Sequence, residues 1–191
     1  VNDGFRIKGE NGAFQEGKIF WLSGYAGKRK RIGPVNSYFY NNTIFVKNEL
    51  VAKIAVDRLA KGVYIANNIF HIENDAIIVK GDQYNPEKKG DWEVEDVFFS
   101  NNLFLHANSW PTGLKINDNN PIFGDARFSN SGGLLPIDYL SQETSLVKDR
   151  GIKISALQKD SVGIVYGLQP EYDILGHKIE GLPDIGAIEI Q

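Results

Sequence analysis

The sequence predicts an all-β protein, a solenoid in which one chain passes through three short strands in every coil. Three observations predict this fold class. A pattern of aliphatic and aromatic residues around an Asn-Asn pair occurs three times, at 37–46, 63–72 and 97–106. On both sides of each pair the apolar residues alternate with a period of two, which is typical of strands. A further strand-like segment also recurs along the chain, first as "GFRIKG" at 4–9.

The segments that resemble 4–9 are predicted to be the first strand of each coil. They read "KIAVDR" at 53–58, "AIIVKG" at 76–81 and "GLKIND" at 113–118. When the four segments are aligned, the alternation directs one apolar row inward, formed by Phe5, Ile54, Ile77 and Leu114. Two rows then point outward, formed by Arg6, Ala55, Ile78 and Lys115 and by Lys8, Asp57, Lys80 and Asn117.

The strands before and after each Asn-Asn pair are predicted to be the second and third strands of a coil. Their alternation places two further apolar rows in the core, formed by Phe39, Ile65 and Phe99 and by Ile44, Phe70 and Phe104. It also predicts an outward aromatic column, formed by Tyr38, Tyr64 and Phe98. Packing of this column under a loop is favoured over sugar binding.

The Asn-Asn pairs are predicted to form one corner of the solenoid. The second residue of each pair is Asn42, Asn68 or Asn102, at spacings of 26 and 34 residues. Stacked strands lie ~4.8 Å apart, and an inward amide offers a donor and an acceptor to the coils above and below. We therefore predict a ladder of amide hydrogen bonds along this corner. Asn41-Asn42-Thr43 also matches a glycosylation sequon, but a ladder role predicts a buried amide, and we favour the structural role over glycosylation.

Three strands per coil with asparagine at a tight corner resemble the right-handed parallel β-helix of pectate-lyase-like proteins. The tail adds a second resemblance, because 120–123, 145–151 and 183–189 are similar to segments that close the solenoid in secreted bacterial β-helix proteins. The resemblance implies coils over 1–119, with inserted loops at 10–34 and 82–96, and a closing segment over 120–191 packed on the same solenoid.

The beginning of the chain leads to a further expectation. A solenoid needs a cap at both ends, and here a coil strand begins at once. We therefore expect the chain to be the C-terminal part of a longer β-helix, truncated on its N-terminal side. Its partner would be the N-terminal remainder of the same β-helix, and the active centre would lie partly or wholly there.

In the resembled family, substrate lies along the outward face of the first strand of each coil. The resemblance thus implies that the chain binds an anionic polysaccharide and helps to cleave it by lyase or glycoside hydrolase chemistry. Lys8 and Lys80 are the candidate bases for β-elimination, and Asp57 is the candidate proton acceptor or neutraliser. Arg6 and Lys115 are candidates for substrate binding. Solvated charges without a function are the commoner use of such outward positions, and that alternative stays open.

The segment 10–34 is too long for a simple corner, so it is predicted to be a flap or an extra hairpin containing the strand-like "KIFWLSGY". Trp21 and Tyr25 could stack on sugar rings, and Arg29 and Arg31 could hold anionic groups. The alternative is a loop that Trp21 pins to the solenoid while its charges stay solvated.

The second insertion, 82–96, carries four acidic residues, which are Asp91, Glu93, Glu95 and Asp96. Many β-helix lyases use Ca²⁺, so calcium is conceivable here. The acids lack the spacing of a self-contained calcium loop, and we predict neither a metal site nor a cofactor. The three histidines have no Ser or Asp at a spacing that would indicate a catalytic triad.

Composition excludes several classes of function. The 191 residues carry 21 basic and 24 acidic side chains, a balance that does not favour nucleic acid as a partner. No run approaches the ~18 apolar residues of a membrane span. The chain has no cysteine, which excludes thiolate nucleophiles and disulfides.

The resemblance implies a secreted, periplasmic or cell-surface location. The rival function is a non-catalytic solenoid, acting as a cap, a spacer or an adhesin-like carbohydrate-binding module.

Overall fold

The computed structural model describes residues 18–22, 34–48, 52–56, 61–74, 76–79, 95–107, 118–163, 167 and 169–191. At some strand positions, among them Trp21, only the backbone is described. Helix is scarce in these ranges, and includes a 3-10 turn at Pro136–Tyr139 and a short helix, α1, at Thr144–Val147. The described part of the protein is therefore dominated by strands, and it contains no helix that is long and apolar enough to span a membrane.

The strands form three sheets, and every strand pairing within them is parallel. The strand bounds are β1 Lys18–Leu22, β2 Val35–Tyr40, β3 Thr43–Val46, β4 Ala52–Val56, β5 Lys61–Ala66, β6 Ile69–Ile72, β7 Ala76–Val79, β8 Glu95–Ser100, β9 Leu103–Phe104 and β10 Ile122–Phe123. Sheet 1 has the order β1-β4-β7, sheet 2 the order β2-β5-β8, and sheet 3 the order β10-β9-β6-β3.

From β1 to β9 the chain visits the three sheets in a fixed order, and each new strand pairs with the strand that the chain last formed in that sheet. This progression, with almost no helix, is compatible with a solenoid that takes one strand per sheet from each coil. The registers of sheets 2 and 3 are those predicted. Phe39 pairs with Ile65 and Ile65 with Phe99, while Ile44 pairs with Phe70 and Phe70 with Phe104.

The core lies between the sheets, where these rows meet. Ile65, Phe70, Ile72 and Phe99 are almost completely buried. The rings of Phe70 and Phe104 stack with centroids 5.3 Å apart. Burying such side chains contributes roughly 1.5–3 kcal/mol each, so the phenylalanine rows are a large part of what holds the sheets together.

The first strands of the coils differ from the prediction in register. The alignment places Ile54 beside Ile77, but in the structure Ile54 pairs with Ile78, and the buried Ala52 pairs with Ala76. The segments 53–58 and 76–81 have similar ends, Val-Asp and Val-Lys. Aligning these ends displaces the predicted register by one residue from the observed one. A one-residue shift moves every side chain to the opposite face. The predicted row that joins Asp57 with Lys80 therefore rests on a register that β4 and β7 do not have.

The strand predicted within the inserted segment 10–34 is present and belongs to sheet 1. Its "KIFWL" portion is β1, which pairs in parallel with β4 and is an integral strand of sheet 1. Ile19 and Leu22 are half-buried and pack against the core. This strand thus takes the sheet position next to β4 that the sequence assigns to 4–9, because its apolar residues, too, can face the interior.

The tail, residues 120–191, covers the outer faces of two sheets. Residues of the tail, including Ala126, Phe128, Val147 and Ile185, form an apolar cluster with Ile69 and Leu103 of sheet 3. On sheet 2, Ile152 and Ile154 pack against Tyr38, Tyr40 and Tyr64. Two of the three residues of the predicted aromatic column are therefore covered by the tail, whereas Phe98 is largely exposed.

Candidate functional site

The first asparagine of each corner has a backbone conformation that most residues avoid. Asn41, Asn67 and Asn101 have φ angles of 52°, 55° and 53°. Asparagine tolerates this left-handed region better than other residues with a Cβ atom, and one such residue turns the chain sharply between two strands. The local sequence therefore makes the corner by itself.

The second asparagine of each corner bonds to the next coil. Oδ1 of Asn68 accepts from the backbone N–H of Asn42 at 3.0 Å and from its side-chain amide at 2.9 Å. Oδ1 of Asn102 accepts the same two bonds from Asn68, at 3.0 and 2.9 Å. Asn68 and Asn102 are completely buried. Each amide N–H₂ also donates to a backbone carbonyl, so the row satisfies its own donors and acceptors.

The ladder ends on a carboxylate instead of a fourth amide. Oδ2 of Asp118 accepts from the backbone N–H of Asn102 at 3.1 Å and from its side-chain amide at 2.5 Å. Asp118 also forms a parallel bridge with Phe99, at the edge of sheet 2. An aspartate suits this end because it only accepts hydrogen bonds and needs no further partner above it.

The outer asparagines hold the tail against the corner. Asn67, itself fully buried, accepts from the N–H of Ile152 at 2.9 Å and donates to its carbonyl at 2.8 Å. Asn101 donates to the carbonyl of Arg150. Between them, Gly151 lies so close that a Cβ would be 2.5 Å from the Pro183 carbonyl and 3.1 Å from Cγ of Asn67. Glycine is therefore required there.

A groove lies between this corner and the tail. It consists of two adjoining cavities, of about 460 and 320 Å³, and both are lined by Tyr40, Asn41, Pro170 and Ile179. We call it the corner groove. Burial raises the pKa of the Tyr40 phenol, so at neutral pH it is a neutral hydrogen-bonding group with an aromatic face.

Polar side chains surround the aromatic part of the corner groove. The larger cavity is also lined by Lys153, Gln169, Glu171 and Lys178, all on exposed residues of the tail. Gln169 is fixed by a hydrogen bond of 2.8 Å from its amide to the Ile154 carbonyl. The smaller cavity adds the exposed ring of Tyr172. The arrangement offers ring faces, amide groups and two ammonium groups to a ligand, although that of Lys178 lies 3.2 Å from the exposed Glu180 carboxylate.

The tail also buries carboxylates, and these bond to backbone. Asp184 accepts from the N–H groups of Asp149 and Ile190, each at 2.7 Å, and Glu189 accepts from the N–H of Asp184. Burial raises the pKa of Asp184 and of Glu189 above their ordinary values. Asp173 behaves differently: burial alone would raise its pKa, but backbone N–H donors, that of Glu189 first, outweigh it and the pKa is lowered.

The hydrogen bonds that these carboxylates accept from backbone N–H groups hold the last segment of the tail in its fold. Among the described residues no group of three or more His, Asp or Glu side chains is placed to hold a metal ion. The acids on which a calcium site could be built, at 91–96, have no described side chains.

No protein-family model and no curated protein matches this chain.

The predicted site residues fall mostly outside the described part of the chain. Those without a described position are Arg6, Lys8, Tyr25, Arg29, Arg31, Asp57, Lys80 and Lys115. Trp21 lies in β1, where its backbone pairs with Ala55. The structure therefore neither brings these residues together nor separates them, and they stay predictions.

The corner groove was not anticipated from the sequence. Its walls come from a strand end near residue 40 and from the tail near 170 and 179, which no periodic pattern connects. The one local signal is the aromatic character of "SYFYNN" and "QPEYD", where Tyr40 and Tyr172 flank a corner and a turn.

Proposed function

We propose that this chain is a right-handed parallel β-helix of the pectate-lyase-like type that binds a polysaccharide. The three parallel sheets and the amide bonds between successive corners support the architecture. Lyase or glycoside hydrolase chemistry by Lys8, Asp57 and Lys80, which lie outside the described residues, belongs to the same proposal. So does a secreted, periplasmic or cell-surface location.

The observation that carries the binding proposal is the corner groove. Saccharides present apolar C–H faces, which stack on aromatic rings, and hydroxyl groups, which pair with amides and charged side chains. Tyr40 supplies the ring, Gln169 supplies the amide, and Lys153 and Lys178 supply positive charge. The combined volume lies within the range of pockets that hold small organic ligands. Two adjoining cavities suit two neighbouring residues of a glycan chain.

A second candidate function is a non-catalytic cap or spacer. It is favoured by the bonds that join the tail to the corner, such as the paired bonds between Asn67 and Ile152 and that from the N–H of Gly186 to the Asn67 carbonyl. A segment that covers two sheets and closes a corner stabilises a solenoid whether or not a glycan binds.

The binding proposal is tested with a panel of neutral and acidic oligosaccharides, by affinity electrophoresis and calorimetry. Tyr40→Ala should weaken binding of both kinds about tenfold, because stacking does not depend on ligand charge. Lys178→Ala should weaken only the acidic ones, and only at low salt, because attraction between exposed charges is screened over ~8–10 Å near physiological ionic strength.

Matched variants keep this test specific. Phe123→Ala removes an exposed ring on sheet 3, away from the groove, and should leave binding unchanged. Tyr40→Phe keeps the ring that packs on Ala66 and Ile154 and removes only the hydroxyl group, so it separates the effect of the ring from that of the hydroxyl. Trp21→Ala and Lys80→Ala examine the predicted rows in the same panel. If no oligosaccharide binds at low salt, binding is refuted and the cap or spacer function replaces it.

A further inference from the structure

The histidine at the centre of sheet 3 occupies an unusual environment. His71 lies on β6, on the face opposite the core row of Phe70, and only 6% of its surface is exposed. Its ring lies between two phenylalanines, with centroids 5.2 Å from Phe45 and 5.1 Å from Phe128. Phe45 belongs to the neighbouring strand, whereas Phe128 belongs to the tail, so His71 is in direct contact with the tail where it covers the sheet.

The ring nitrogen Nδ1 of His71 is buried and has no hydrogen-bond partner among the described residues. The nearest carboxylate oxygen, Oδ1 of Asp125, is 3.7 Å away, which is too far for a hydrogen bond. That oxygen already accepts from the N–H of Arg127 at 2.8 Å. A neutral ring with its lone pair on Nδ1 is tolerated in such a place, but a protonated ring would carry a buried donor and a charge without a partner.

Four titratable groups surround the ring. Asp125 lies on the tail, Glu73 follows β6, His106 follows β9, and Tyr139 belongs to the aromatic cluster around Phe45 and Phe128. Burial lowers the pKa of His71, the charges of Asp125 and Glu73 raise it in part, and His106 lowers it further. The net direction is down. The phenylalanine faces favour a cation, but less than water does.

We propose that His71 is an acid-sensitive latch, whose protonation loosens the docking of the tail around Asp125 and Phe128 on the outer face of sheet 3. Opening this contact lets water and the Asp125 carboxylate reach the imidazolium. The latch is independent of glycan binding, because none of its residues lines the corner groove.

The sign of the effect follows from linkage. The pKa of His71 is lower in the docked state than its ordinary value of about 6.5. Its contribution to docking is complete above that ordinary value and is lost as the pH falls from there toward the docked-state pKa. The buried acids Asp184 and Glu189 have raised pKa values, so their contribution is lost as the pH rises and has the opposite sign. The pH curve of the whole protein is therefore not diagnostic, and a His71 variant is needed.

The test measures native-state amide hydrogen exchange between about pH 7.5 and about pH 5, corrected for intrinsic rates. The reporters are two tail amides: the N–H of Gly124, which bonds to the Phe104 carbonyl where the tail meets sheet 3, and the N–H of Ser129, which bonds to Leu140 beside Phe128. The N–H of Leu103, which bonds to Asn68 between coils, is the internal reference. In the wild type the opening constant of the two tail amides should rise below about pH 6.5, by at most tenfold per pH unit. The reference should not follow.

Two variants identify the titrating group. His71→Phe keeps an aromatic ring in the cage and cannot be protonated, so the rise should disappear. Asp125→Asn removes the charge that raises the pKa of docked His71, so the rise should still begin below about pH 6.5 but continue to lower pH before it levels off. An equal rise in His71→Phe and wild type overturns the latch. Should His71→Phe fail to fold, an NMR titration of wild-type His71 decides: an ordinary pKa, or titration without a change in tail exchange, also overturns it.

Discussion

Replacement of Asn68 by alanine is expected to lower the free energy of unfolding by about 3 kcal/mol. Oδ1 of Asn68 accepts two bonds from Asn42, and its amide donates to Asn102 and to the Phe39 carbonyl. Alanine removes all of these while the surrounding groups stay buried. A buried polar group without a partner costs about 1–3 kcal/mol, and here groups on both neighbouring coils lose one.

The measurement is urea unfolding followed by circular dichroism, with Asn119→Ala as the matched control. Asn119 is exposed and lies at the end of the same ladder, and its loss should change stability by less than about 0.5 kcal/mol. Asn42→Ala should have an intermediate effect, because Asn42 is only half-buried and stands at the donor end of the row. Equal effects for Asn68 and Asn119 would contradict a stabilising ladder.

The fold of sheets 2 and 3 could be predicted because two separate sequence patterns indicate it. The Asn-Asn pair marks the corner, and the alternation around it fixes which residues face inward. Phe39, Ile65 and Phe99 therefore share a row in the structure, as predicted. The aromatic column of Tyr38, Tyr64 and Phe98 is also in register, and its first two residues pack under the tail.

Sheet 1 was harder to predict because its strands have no comparable marker. "AIIV" is apolar on both faces, so alternation does not select its register against "KIAV", and the resemblance of the segment ends selected the wrong one. The inward residues Ala52 and Ala76 are small and give a weak hydrophobic signal. The position of β1 was missed for the same reason: 4–9 matches the template better than 18–22 does.

The corner groove could not be derived from the sequence at all. Tyr40 and Gln169 meet there only because the tail is tied to the corner by bonds between residues far apart in the chain, such as Asn67 and Ile152. Those bonds use backbone groups of the tail, which carry no sequence signature. What the sequence does indicate is the glycine that such a close approach needs, in "KDRG" at 148–151.

Replacement of Asn67 by alanine is expected to cost about as much as the loss of Asn68, but for different reasons. Asn67 faces outward and exchanges two hydrogen bonds with Ile152, and its amide also donates to Asn41 at 3.0 Å. Its φ angle is 55°, a region where alanine is strained by roughly 1–2 kcal/mol. Together with the unpaired backbone groups of Ile152, the expected loss is about 3 kcal/mol.

Glycine at the same position separates the two causes. Asn67→Gly has no strain at positive φ but makes no side-chain bonds, so it should be less destabilising than Asn67→Ala by roughly 1 kcal/mol. Asn101 has nearly the same φ angle but donates only one bond to the tail, to Arg150. Asn101→Ala should therefore cost less than Asn67→Ala, while the gap between its own Ala and Gly variants should be the same.

Amide exchange in the tail should report directly on the hydrogen bonds between Asn67 and the tail, which we call the tether. In Asn67→Gly the amides of Gly151 and Gly186, which bond to Pro183 and to the Asn67 carbonyl, should exchange faster, whereas that of Ile69, bonded to Asn42 between coils, should keep its protection relative to global unfolding. Uniform acceleration of all three amides would show that the tail and the coils open as one unit. The outer asparagine would then act through the corner alone, and the tether would contribute nothing of its own.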